Sequence, residues 1–119
     1  MKAFTDLEQS EKLAEILPIE SADMAYYQWK DDGHLMSPVP FVLDGMEEKE
    51  DGVFKYIPCW SLASLLDVLP KIINNETLFI ETSAALWHIG YRNIYTARAD
   101  NPIDACVAMI EKLHELNLL

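Results

Sequence analysis

The sequence predicts an α+β fold: an N-terminal helix, an irregular β-hairpin region, and then an α-β-β-β-α unit whose strands form an antiparallel meander. Three observations carry this. Apolar residues recur at helical spacing near the start, after Ser61 and near the end. Between the last two lie three strand-like runs, residues 77–83, 85–92 and 94–99. The gaps between those runs are too short for parallel crossovers, so neighbouring strands must run antiparallel. At 119 residues the chain is read as one domain, with a helix in 1–20, strands and a hairpin in 24–58, and the αβββα unit in 61–116.

The first helix is signalled by Thr5 and Glu8, which have capping-box spacing, and by Leu7, Leu13, Ile16 and Leu17. Pro18 ends the run. Residues 24–30, "MAYYQWK", are aromatic-rich and strand-like, with "DDGH" as the turn after them. Pro38 and Pro40 favour extended but irregular backbone. "FVLDG" is read as a short strand and "VFKYI", residues 53–57, as a strand pairing back on it across an acidic tip. Ser61 is the expected N-cap of the next helix, with Leu62, Leu65, Leu66 and Leu69 as its apolar stripe and Pro70 as its stop. Trp60 stands just before the cap, placed to staple the start of the helix. Two-residue and three-residue turns at Arg92-Asn93 would send opposite faces of the third strand inward, and both stay open. The last helix begins at Asn101, with Pro102 at its first position and Asp104 in its first turn. Ile103, Cys106, Val107, Ile110 and Leu113 or His114 form its inward stripe.

Charge restricts function more than the elements do. The net charge is −11. Residues 1–51 hold 13 acids against 4 bases, a balance of −9, and residues 52–119 hold 7 against 5, a balance of −2. Such a front half repels phosphate, so neither nucleic acid nor an anionic membrane is an expected partner. No 18-residue apolar run and no signal-peptide pattern is present, which points to the cytoplasm and to reduced thiols at Cys59 and Cys106.

Little chemistry is written in the side-chain spacing. Cys106 and His114 lie eight positions apart on one helix, roughly 12 Å along its axis, too far to share a metal ion. There is no CxxC or HxxxH, and four glycines, at 33, 45, 52 and 90, supply no phosphate-binding loop. No metal or cofactor is expected. A cysteine nucleophile at Cys59, before a helix N-terminus, would need His88 beside it as base. Glu47, Glu48, Glu50 and Asp51 form an acidic cluster without the ligand order of a calcium loop. Glu81, His88 and Arg98 fall on strands where one exposed face would gather them. Tyr26, Tyr27 and Trp29 of "YYQW" are read as exposed aromatics available for binding.

The order helix, three strands, helix over 61–116 resembles double-stranded-RNA-binding domains, but "NPIDACVAM" stands where those domains carry a lysine cluster. "ADNPIDA", Ala99 to Ala105, is similar to the strand-to-helix junction of certain antitoxins. "CWSLASLLDVLPKI" and "ADNPIDACVAMIEKLHEL" resemble a group of short proteins of intestinal anaerobes and their phages, a likeness that implies no activity. The function expected is a non-enzymatic protein–protein interaction module, with a basic protein or a second copy as partner. The alternative is an acidic antitoxin or DNA-mimic inhibitor that binds a basic protein. A small enzyme using Cys59 and His88 is third.

Overall fold

The structure is a computed structural model that describes residues 1–40 and 52–119. It is an α+β fold with three α-helices and seven strands in two antiparallel sheets among the described residues. The chain divides into two compact units: residues 4–64, here the N-terminal unit, and residues 65–119 with 1–3, here the C-terminal unit.

In the N-terminal unit, helix α1 spans Leu7–Ile16. Its capping box is Asp6 with Gln9, not Thr5 with Glu8: the Asp6 carboxylate accepts from Gln9 N at 2.8 Å and the Gln9 amide oxygen accepts from Asp6 N at 3.0 Å. Thr5 is unavailable because it is fully buried. Its amide donates to Trp60 O, and its hydroxyl accepts from Trp60 N at 3.1 Å and pairs with Ser10 Oγ at 2.8 Å. The chain is still extended there, bridging Phe4 to Ser61, so the helix starts later than the spacing implied. It stops at Leu17, whose extended backbone leads into Pro18.

Strand β1 (Met24–Trp29) is the centre of a three-stranded sheet of order β2-β1-β3. The turn after it closes through Gly33 N on Trp29 O and Trp29 N on His34 O, and Gly33 takes a φ of +75°. The chain then returns as β2 (Leu35–Pro40), a strand the sequence had masked as irregular. Pro38 and Pro40 are tolerated because, among the described residues, β2 is an edge strand. Strand β3 (Phe54–Cys59) pairs along β1, from Met24 opposite Cys59 to Trp29 opposite Phe54. Its expected partner Phe41-Val42-Leu43 lies outside the described residues, as do Glu47, Glu48, Glu50 and Asp51. One side of the sheet packs Tyr26, Ile57 and Cys59 with Phe4, Leu7, Met24 and Leu35, and α1 lies against β3.

Helix α2 (Leu62–Val68) starts as expected, with Ser64 N donating to Ser61 Oγ. Leu65 and Leu69 are buried and Leu62 and Leu66 half-buried. Lys71 closes the far end, its ammonium donating to Leu66 O at 2.6 Å. Beyond Pro70 the chain forms a short strand, β4 (Ile72–Ile73), which pairs with β5 (Glu76–Ser83) through the turn Asn74-Asn75. Strands β6 (Leu86–Tyr91) and β7 (Tyr95–Ala99) complete the antiparallel order β4-β5-β6-β7. The turn between them has three residues, Arg92 to Ile94, with Asn93 at a φ of +63°, so Tyr91 stands opposite Tyr95. That fixes the register the sequence left open. Helix α3 (Pro102–Glu115) covers β6 and β7 on one face. Asn101 caps it, accepting from Asp104 N at 2.9 Å, and Asn117 in the left-handed region ends it, with Leu118 N on Leu113 O. Leu113 is the buried member of the final pair and His114 is exposed.

Candidate interaction surface

Strand parity sorts the aromatic residues of the N-terminal unit onto two sides. Tyr26 points into the core: it is buried, and its hydroxyl donates to Thr5 O at 2.8 Å. Burial, with smaller contributions from Cys59 and Asp6, pushes its phenol up to about 12. Its expected role as an exposed binding residue is therefore corrected; alternation along β1 places it opposite its neighbours.

Tyr27 and Trp29 take the other side. There they meet two rings from β3 that the sequence did not single out, because the β1–β3 register sets Tyr27 against Tyr56 and Trp29 against Phe54. The Trp29 and Phe54 centroids are 4.5 Å apart, and Tyr27 meets Tyr56 edge-on at 5.1 Å and Phe54 at 5.7 Å. Met36 of β2 stands opposite Tyr27, and Val39 opposite Ala25. Trp29, Met36 and Val39 are 38%, 44% and 42% exposed. This side of the sheet thus gathers four rings and two aliphatic chains, with Trp29, Met36 and Val39 exposed and Tyr27, Phe54 and Tyr56 half-buried. Toward Ala25 and Pro58 the same side is closed, since both are buried. Beside Trp29, a depression of about 390 Å³ is lined by Lys30, Asp31, Gly52 and Val53.

The second candidate lies on the face of the C-terminal sheet turned away from the side chains that meet α3. Glu81 stands opposite His88 and His88 opposite Arg98, so the three expected residues do form one row across β5, β6 and β7. They do not act as one cluster. The ion partner of Glu81 is Arg92, at 2.9 Å, whose guanidinium also lies 4.5 Å above the Phe79 ring. His88 Nε2 is 3.3 Å from Ser83 O. Arg92 went unnoticed because it sits in the turn, and only the three-residue loop folds it back over β5. Phe79, Glu81, His88, Arg92, Asn93 and Thr96 line a shallow cleft of about 340 Å³. Gly90 keeps this face flat: a β carbon there would overlap Tyr95 O and come within 2.8 Å of Thr96 Cα.

No family model, curated protein or solved structure matches this chain.

The remaining groups make structure. Cys59 is fully buried, its thiol donating to Thr5 O at 3.5 Å. Burial pushes that thiol up despite hydrogen bonds from Thr5 and Ser10, the opposite of what a cysteine nucleophile before a helix N-terminus would need. Cys106 is also fully buried, and desolvation takes its thiol up to about 12. Trp60 is buried with its indole N–H on Ser21 Oγ at 3.0 Å. Among the described residues no group of three metal-ligating side chains comes together, and no helix is long and apolar enough to cross a membrane.

Proposed function

We propose that this chain is a non-enzymatic protein–protein interaction module, whose aromatic sheet side receives a basic polypeptide segment at the exposed Trp29, Met36 and Val39. The observation that carries the reading is the aromatic cluster of Tyr27, Trp29, Phe54 and Tyr56, in which Trp29 is exposed beside the exposed Met36 and Val39 of the same sheet side. Clustered, partly exposed rings are what protein interfaces use as anchors, since they bury large area with few rotatable bonds. The charge selects the partner. Residues 1–51 carry −9, and Asp31 lines the depression next to Trp29. A lysine or arginine seated there would gain both an aromatic face and a carboxylate. Edge pairing is disfavoured as the docking mode in this unit, because β2 carries Pro38 and Pro40 and β3 carries Pro58. The same charge supports the narrower reading of an acidic antitoxin or DNA-mimic inhibitor, in which one basic protein is held far more tightly than generic basic peptides.

Titration calorimetry with a synthetic Arg- and Lys-rich peptide tests this. Binding is expected at about 20 mM salt and is expected to fall steeply by about 300 mM, where screening shortens. Trp29→Ala should weaken it about fivefold to tenfold while the fold is kept, with a loss of melting temperature limited to its contact with Phe54. Replacing Glu47, Glu48, Glu50 and Asp51 by their amides, which removes four of the eleven net negative charges, should flatten the salt dependence. Peptide binding indifferent to Trp29→Ala would overturn the reading.

A further inference from the structure

Among the described residues the two sheets have four edges, and one of them can accept another strand along its length. Edges β2 and β3 are interrupted by Pro38, Pro40 and Pro58, which lack the N–H a ladder needs. Edge β4 has two residues. Edge β7, Tyr95–Ala99, has five residues, no proline, and among the described residues a single strand neighbour, β6. Alternate residues of an edge strand turn their N–H and C=O groups outward, so β7 presents an unpaired template. Alongside it runs a groove of about 400 Å³ between the strand and α3, with Tyr95, Ala97, Ala108, Met109 and Lys112 in its walls.

We infer that β7 pairs antiparallel with β7 of a second copy of this chain, joining two four-stranded sheets into one. This surface is separate from the aromatic side proposed above, and the inference does not depend on that reading. The strand is suited to itself. An antiparallel pair about a two-fold axis through Ala97, the middle residue of β7, engages all five residues. It sets Tyr95 opposite the partner's Ala99, a large side chain against a small one, and Ala97 against the partner's Ala97. Arg98, the one charged residue of β7, then faces the partner's Thr96. An axis through Arg98 would instead oppose two guanidinium groups, which is destabilising. A shift by one residue would turn the faces over and put the two α3 helices on opposite sides of the joined sheet. With the axis at Ala97 both helices lie on the same side, where the exposed Ala108 of each leaves room for the other.

Sedimentation equilibrium of the full chain from about 5 µM to about 500 µM tests the inference, a range suited to a modest interface. A reversible monomer–dimer equilibrium is expected. Ala97→Lys should raise its dissociation constant at least about tenfold by bringing two ammonium groups together at the axis, whereas Asn75→Lys, the same charge change in an exposed turn, should not. Trp29→Ala should leave the equilibrium unchanged. In case Ala97→Lys perturbs folding, Ala97→Cys supplies a second readout: both native cysteines are buried, and facing residues of an antiparallel pair lie within disulfide reach. Mild oxidation should link Ala97→Cys chains into dimers and leave Asn75→Cys chains unlinked. A chain that stays monomeric at about 500 µM, or a dimer that resists Ala97→Lys and is not linked through Ala97→Cys, overturns the inference.

Discussion

At the scale of single residues, the least comfortable positions are Ala84 and Ala85. They form the two-residue turn between β5 and β6 at φ values of +53° and +64°. Alanine in the left-handed region costs about 1–2 kcal/mol relative to a residue that adopts it freely. The turn is of the kind that favours Asn-Gly. Ala84→Asn combined with Ala85→Gly should therefore raise unfolding stability by about 1–2 kcal/mol, less the entropy glycine adds to the unfolded chain. Urea denaturation checks this: the midpoint should rise at constant slope, and an unchanged or lower midpoint would show that the turn is not strained. The neighbouring turn uses Asn74 and Asn75 at +49° and +69°, and Asn93 takes +63° in the next. Those asparagines are visible turn signals. The alanine pair is not, because nothing about alanine marks a left-handed site, which is why Ala85 was read as the first residue of a strand that in fact begins at Leu86.

At the scale of elements, Asp23 links the start of β1 to the start of α2. Its carboxylate accepts from Ser61 N at 3.0 Å and from the Ser61 hydroxyl, which in turn accepts from Ser64 N. Burial raises the carboxyl, but the hydrogen bonds from Ser61 and Ser64 outweigh it and hold Asp23 below its ordinary value of 3.8. A depressed carboxylate contributes stability that is complete above the unfolded value and lost as pH falls through the folded one. Asp23→Asn should thus cost about 1.5–3 kcal/mol at neutral pH, the usual scale for hydrogen bonds to a charged group. Below pH 3 the difference from the parent should shrink. Thermal melts at pH 7 and pH 2.5 measure it, and a constant difference across that range would remove the carboxylate from the account.

The elements differ in how far they could be read. Helix α3 was legible to its first residue because Asn101, Pro102 and Asp104 all act locally. Strand β2 was not, since Pro38 and Pro40 oppose a strand unless it lies on an edge, and position in a sheet is not a local property. Helix α1 fell between these: its periodicity was plain, but Thr5 was drawn away by Trp60, 55 positions distant.

At the scale of the whole molecule, the same distinction governs the candidate surface. Tyr27 and Trp29 stand out in the sequence, but the surface exists because β3 returns beside β1 and brings Phe54 and Tyr56. Which residues of "YYQW" would face the core was likewise decided by packing, with Tyr26 turned inward against Ile57 and Cys59. Charge asymmetry, by contrast, needs no fold, and −9 in residues 1–51 was available from composition alone.

The two cysteines give the molecule an internal pair of clocks. Cys59 belongs to the N-terminal unit and Cys106 to the C-terminal unit, and both have no exposed surface. A thiol reagent can reach either one only when its own unit opens, so each labelling rate counts the openings of one unit. Both rates should be at least about a thousandfold below those in urea, given ordinary domain stabilities. Equal rates for the two would mean that the units open in a single event, and unequal rates would rank them. Raising pH should sharpen the reading. The Cys106 thiol at about 12 stays protonated where an unfolded cysteine, near 9, is already a thiolate. Its contribution to stability is complete below 9 and drains away as pH climbs toward 12, so the C-terminal clock should quicken across that window. Native labelling of either cysteine at the rate found in urea would show that its burial is not the resting state.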